Sequence, residues 1–235
     1  MPTNNHIEQL FDDIAPNYDR LNHIMSLNID KSWRRKAVRR IADEKRPLQV
    51  LDLATGTGDF AIAIARKLSP GSSVIGIDLS EKMLAIGSTK VLEAELSDRV
   101  TLQQGNAEAL SFADGTFDRV SVAFGVRNYE DRQGGLREAC RVLKPGGRLI
   151  ILELSSPDNR LLLALYKWYA LKVLPRIGGR ISGSRSAYTY LPESVLQFPK
   201  PAEFLPMLHN AGFSKCSVKN LTFGICRMYI AEKQQ

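Results

Sequence analysis

Apolar residues fall into short blocks that end in an acid or a glycine, and stretches with helical spacing follow them. VLDLATGTGDF (residues 50–60) carries the first block. Val50-Leu51 reads as a buried parallel strand, since strands covered on both faces lose polar alternation. AIAIA (61–65), beyond Gly56-Thr57-Gly58, reads as a helix packed on the sheet. VIGIDLS (74–80), VTLQQG (100–105), FDRVSVAF (117–124) and RLIILE (148–153) read as four more strands. Residues 136–143 look helical and stop at Lys144-Pro145-Gly146-Gly147, because proline and glycine end helices. Residues 214–221 and 223–232 read as a closing strand pair. Five strands alternating with helices, then a hairpin, predict an α/β doubly wound, mostly parallel sheet with a C-terminal antiparallel hairpin.

Within that pattern the first two strand ends carry chemistry. Gly56 and Gly58 lack Cβ, so the chain turns sharply and a ligand can touch backbone. Such a ligand lies over a helix N-terminus, outside the carboxyl end of the strand. Asp78 ends the neighbouring strand, where a carboxylate can accept hydrogen bonds from both hydroxyls of a ribose. The stretch GTGDFA (56–61) fits the dinucleotide pattern G-x-G-x-x-G/A literally, which would imply NAD and hydride transfer. A pyrophosphate, however, favours a helix start free of acids. Asp52 precedes the turn and Asp59 follows it, and two acids suit a positively charged ligand. S-adenosylmethionine carries a sulfonium and an ammonium and no phosphate. Asn106, at the end of the third strand, is placed to read an adenine edge.

These residues carry a family resemblance that covers nearly the whole chain. The chain resembles class I S-adenosylmethionine-dependent methyltransferases, and more closely the C-methyltransferases of menaquinone and ubiquinone biosynthesis. The markers are FDDIAPNYDRLNHIMS (11–26), DKSWRRKAV (30–38), LDLATGTGD (51–59), GNAEALSF (105–112), AFGVRNYED (123–131) and RVLKPGGRL (141–149). The last recurs in many methyltransferases, whereas the N-terminal and AFGVRN segments are specific. The resemblance implies C-methylation of a prenylated quinol: demethylmenaquinol to menaquinol, or alternatively a polyprenyl methoxybenzoquinol. It also implies that Thr57, Asp78, Asn106 and Ala107 contact S-adenosylmethionine, with Gly56 and Gly58 shaping the turn. Ala123 stands where some members have serine, which leaves a backbone contact there and no side-chain contact.

The implied chemistry asks for particular groups. A ring carbon becomes nucleophilic when the adjacent hydroxyl loses its proton, so the substrate is the quinol and not the quinone. No metal is required, because the leaving thioether is already activated by its charge. The protein must place carbon and methyl about 3 Å apart and stabilise the phenolate. Arg127, beyond the fourth strand, is the candidate for that stabilisation, since a permanent cation lowers the pKa of a nearby phenol. An ion pair with Glu130 or Asp131 is its structural alternative. Asn128 is a candidate for orienting the ring, and Tyr188 and Tyr190 for contacting it. The general base stays open between His23, whose ring titrates near neutrality, and a water held by Arg127. Tyr18-Asp19 reads as closing the cofactor pocket.

Composition refines the picture. The 235 residues suit one domain with a full core: a helical cap at 1–46, a cofactor-binding core at 47–155, and a substrate-side helix with the hairpin at 156–235. Cys140, Cys216 and Cys226 show no disulfide or metal spacing, and MPTNNHIEQ has no signal-peptide pattern, so a cytoplasmic protein is expected. The net charge of +7 is uneven, at +2, −2 and +7 over those three spans. A basic C-terminal third beside LLLALYKWYALKVL (161–174) suits transient docking on anionic lipid at the inner face of the membrane. An ordinary buried helix with solvated lysines accounts for that segment equally well. It is too short to span a bilayer. Homo-oligomerisation is left open. KSWRRK (31–36) raises RNA as a partner, but one aromatic and no RNA-binding module leave nucleic acid outside the reading.

Overall fold

The inner strands of the sheet are built from runs buried on both faces, whereas its two edge strands carry exposed polar positions. In the computed structural model, which describes residues 3–169 and 185–235, seven strands form it. They are β1 (Gln49–Leu53), β2 (Ser73–Asp78), β3 (Val100–Gln104), β4 (Phe117–Ala123), β5 (Leu143–Leu154), β6 (Phe213–Leu221) and β7 (Cys226–Lys233). Their order is β3-β2-β1-β4-β5-β7-β6. The pairings among β1 to β5 are parallel, and β7 runs antiparallel to both neighbours, so a single reversed strand sits inside an otherwise parallel sheet.

Side chains alternate between the faces with period two. Leu51, Leu53, Leu149 and Ile151 pack on one face, and Val50, Ile150 and Leu152 on the other. Helices α1 (Asn4–Ile14), α2 (Tyr18–Met25), α3 (Ile29–Ile41), α4 (Asp59–Ala65), α5 (Glu81–Glu93), α6 (Arg132–Val142), α7 (Arg160–Trp168), α8 (Arg185–Gln197) and α9 (Pro201–Asn210) accompany the sheet. Leu136 of α6 with Phe204 and Leu208 of α9 covers the first face; Trp33 and Ile41 of α3 with Phe60 and Ile64 of α4 covers the second. Leu10, Ile14 and Met83 form a smaller cluster that seats α1 on α5, beside Tyr18 and Tyr190. The Ser80 hydroxyl serves twice there, capping α5 through the Met83 N–H and donating to Asp12 of α1 at 2.5 Å.

Three expected boundaries move. The sixth helix begins at Arg132, because the Asp131 carboxylate accepts the Gly134 N–H at 2.8 Å as its N-cap. It ends at Val142, and residues 144–147 fall within the span of β5. Phe223 is not in a strand: it takes φ +57° in the turn Thr222–Gly224 that joins β6 to β7.

Candidate active site

Strand order reverses between β1 and β4, and the crevice outside the carboxyl ends of such strands is where this architecture binds ligands. The loop after β1 turns on its glycines: Gly56 and Gly58 take φ +56° and +76°, the left-handed region that glycine enters freely. Gly125 after β4 approaches this loop so closely that a Cβ there would lie 2.6 Å from the Ala54 methyl. Asp78, at the end of β2, accepts the Gly56 N–H at 2.8 Å and the Ser80 N–H at 3.0 Å. Burial pushes its carboxyl above the usual range, against the backbone hydrogen bonds of Ser80, Gly56 and Leu79.

A cavity of about 70 Å³ opens over these groups. Gly56, Asp78, Asn106, Ala107 and Ala123 line it, together with Asn128, while Ile7 and Phe11 of α1 roof it. The Asn106 carboxamide oxygen accepts the Glu108 N–H at 2.8 Å, which fixes the turn at that end. Five of the seven expected cofactor residues thus share one cavity. Thr57 and Gly58 are not among its lining residues. The Thr57 hydroxyl turns away and donates to Asp19 at 2.6 Å, and Asp19 also pairs with Lys90 at 2.9 Å.

The two acids that favoured a cationic ligand are turned elsewhere. Asp52 is 1% exposed and accepts from Thr55 at 2.7 Å and Ser121 at 2.6 Å. Burial drives its carboxyl to about 6 against those hydrogen bonds. Asp59 pairs with Lys90. Neither lines the cavity, so the cofactor inference rests on Asp78, the backbone turn and Asn106-Ala107.

A second cavity, of about 250 Å³, lies against the first, and Phe11, Tyr18 and Phe124 belong to both walls. Most of its lining is apolar, with Leu10, Ile14, Trp33, Leu154 and Ile225 among its members. Its polar groups are Arg34, Arg127, Asp30, Asn22 and Ser26, with Thr222 and several tyrosines. Arg127 does not pair with Glu130 or Asp131. Its Nη1 donates to the Glu153 carboxylate at 2.9 Å and to the Phe124 carbonyl, and its backbone N–H meets the same carboxylate at 3.0 Å. Its Nε is buried and has no hydrogen-bond partner among the described residues. Burial opposes the charge on Arg127, but Glu153, Tyr18 and Tyr190 hold its pKa above the ordinary value.

Tyr190 lines this cavity and donates to the Asn128 side-chain oxygen at 3.0 Å, which links the two cavities. The Tyr188 side chain lies outside the described residues. His23 does not line either cavity; its Nδ1 lies 3.0 Å from Asp30, which does. Within residues 31–36, Trp33 is 4% exposed and Arg34 faces the cavity, stacked 5.4 Å from the Phe124 ring, so no aromatic-and-basic surface forms there. Residues 170–174 lie outside the described ones, but α7 is no buried helix: Leu161, Leu165 and Trp168 are 79%, 59% and 60% exposed.

Sequence reasoning missed Glu153, Asp30, Arg34 and the double role of Phe124. Asp30 and Arg34 stand inside the DKSWRR segment, so the signal for them was present.

The profile of the ubiE/COQ5 methyltransferase family matches residues 2–233. A demethylmenaquinone methyltransferase of Bacteroides fragilis is 46% identical over 227 residues, covering 97% of this chain and 92% of its own length. A ubiquinone/menaquinone biosynthesis C-methyltransferase of Geobacter sulfurreducens is 47% identical, with 97% and 88% covered. Among solved structures, a SAM-dependent methyltransferase of Thermotoga maritima superimposes with a TM-score of 0.69 at 20% identity, over 97% of this chain and all of that one, which speaks for the fold.

Proposed function

The chain belongs to the ubiE/COQ5 methyltransferase family, and from that premise we propose that it methylates a ring carbon of demethylmenaquinol to give menaquinol. It is an S-adenosylmethionine-dependent enzyme. The observation that carries the substrate reading is the pair of adjoining cavities, a small polar one at the strand ends and a larger apolar one sharing Phe11, Tyr18 and Phe124 with it. The larger has the apolar lining a prenylated ring needs and a buried arginine at its wall. The Bacteroides relative, named for demethylmenaquinone alone, favours the naphthoquinol; the Geobacter relative's name keeps the benzoquinol as the second reading.

The smaller cavity fits the cofactor, because glycine-only backbone meets a strand-end carboxylate there. Asp78 would accept the ribose hydroxyls, Asn106 and Ala107 would flank the adenine, and Ala123 would offer backbone. When bound, S-adenosylmethionine supplies an electrophilic methyl group on a positively charged sulfur. Arg127 then acts on the quinol: its unpartnered Nε is the donor for the developing phenolate, while Glu153 holds the guanidinium in place. A donor of this kind contributes about 3 kcal/mol to a transition state. Tyr190 and Asn128 orient the ring, and Trp33, Phe124 and Leu154 exclude water.

Among the described residues no helix is long and apolar enough to cross a membrane. The cavity's edge is nonetheless apolar and exposed, with Leu27 at 76% and Phe223, beside the lining Thr222, at 79%. Exposed Leu161, Leu165 and Trp168 flank the lining Tyr166 on α7. This rim, with exposed Lys31 and Lys167 beside it, would dock on the inner face of the membrane from the cytoplasm. Mass spectrometry of products from a panel of demethylated naphthoquinols and methoxybenzoquinols tests the substrate. Faster methylation of the naphthoquinols supports the reading; exclusive methylation of benzoquinols overturns it.

A further inference from the structure

We propose that Asp30 takes the hydroxyl proton of the quinol and that His23 passes it toward solvent. The inference rests on the C-methylation proposed above. That reaction exchanges a ring hydrogen for a methyl group, so one proton must leave a largely apolar cavity. The quinol O–H bond breaks and its proton moves to the Asp30 carboxylate. The oxygen's electron pair drives the ortho carbon onto the methyl as the carbon–sulfur bond breaks, releasing a neutral thioether. The carbon then loses its own proton and the ring regains aromaticity. The oxygen recovers one proton, so one is released in total.

Among the described residues that line the cavity, Asp30 is the one carboxylate, and histidine, lysine, glutamate and cysteine are absent. Arg34 and Arg127 are cations and accept no proton. Burial raises the phenols of Tyr18, Tyr190 and Tyr169, and that of Tyr166 to about 12, so they stay protonated at neutral pH. Asp30 is 3% exposed. One of its oxygens accepts the Ser26 hydroxyl at 2.6 Å, and the other lies 3.0 Å from His23 Nδ1 and 3.8 Å from Arg34 Nε. Arg127, Tyr18 and Tyr190 line the same cavity. His23 Nε2 is 3.9 Å from Asp59, which pairs with Lys90, and the His23 side chain is 25% exposed. Asp30 and the partly exposed His23 thus form a short path from the cavity wall to solvent. Asp30 also stands in the first turn of α3, where an acid favours the helix. That role does not require the residue to line the cavity.

The test compares wild type with Asp30→Asn on demethylmenaquinol, with calorimetry of S-adenosylmethionine as the control for folding and cofactor binding. Methyl transfer is expected to fall about 100-fold or more with cofactor affinity retained. Activity of Asp30→Asn should recover as pH rises toward the quinol's own ionisation, and at neutral pH with a halogenated quinol that is already ionised. A merely structural loss would show neither recovery. His23→Ala should lower kcat with KM unchanged and regain activity with added imidazole. Unimpaired Asp30→Asn turnover would overturn the proposal. So would an equal loss of cofactor affinity, which would assign Asp30 to the cofactor's ammonium. Absence of product from the wild type would instead overturn the reaction itself.

Discussion

Arg127 Nη1 lies 2.9 Å from Glu153 Oε1, and both side chains are buried, the first in the turn just past β4 and the second near the end of β5. The cation proposed to act on the quinol is therefore half of a buried pair. Removing one partner of such a pair costs about 3–5 kcal/mol, because the other is left charged and dry. Arg127→Met should accordingly lower stability and activity together. Adding Glu153→Gln should recover stability in chemical denaturation while methyl transfer stays lost. Recovery of turnover in the double variant would remove Arg127 from the chemistry.

Asp78 gives a cleaner test of the cofactor cavity. It accepts two backbone N–H groups and faces the space assigned to the ribose. Hydrogen bonds to a charged group contribute about 1.5–3 kcal/mol. Asp78→Ala should weaken S-adenosylmethionine binding by a factor of about 10 to 100 in calorimetry. An unchanged affinity would place the ribose elsewhere.

Asp52 predicts a pH signature in stability. Its carboxyl is driven from 3.8 to about 6 by burial, against the hydrogen bonds of Ser121 and Thr55. The folded chain holds this proton more tightly than the unfolded chain. Its stabilising contribution is full below about pH 4 and is lost as pH rises through about 6. The shift corresponds to about 3 kcal/mol. Asp52→Asn, compared with wild type in denaturant melts, removes this titration. Relative to wild type the variant should gain up to that amount between pH 4 and pH 7, and a gap that does not vary with pH would contradict the assignment.

The exposed rim makes a prediction about lipid. Leu27, Phe223 and Trp168 are 76%, 79% and 60% exposed around one cavity. Replacing all three with serine should reduce flotation with anionic vesicles and raise KM for a long-chain quinol, while a short-chain quinol is turned over normally. Equal flotation of the two proteins would rule the rim out.

The fold was legible because parallel strands announce themselves as short apolar runs with acids and glycines at their ends. Asp78, Gly56 and Asn106-Ala107 could be placed for that reason, since a strand end has one position relative to the crevice. The direction of a carboxylate was not legible. Asp52 and Asp59 pointed to the correct cofactor by their proximity in sequence, yet Thr55, Ser121 and Lys90 hold them away from the cavity. Glu153 escaped notice because its partner is 26 residues distant and joins it only through the pairing of β4 with β5. Asp30 stands seven residues beyond His23, and only the folded chain puts it on the cavity wall while His23 stays off that wall.

Transfer of a methyl group to a ring carbon of a quinol leaves a carbon–carbon bond that can be seen directly. The most direct measurement incubates the enzyme with demethylmenaquinol and S-adenosylmethionine labelled in its methyl carbon, and locates the label by NMR. A labelled methyl bonded to the ring carbon next to a hydroxyl is the predicted result. A methoxy signal, or an unlabelled quinol after full incubation, would contradict it.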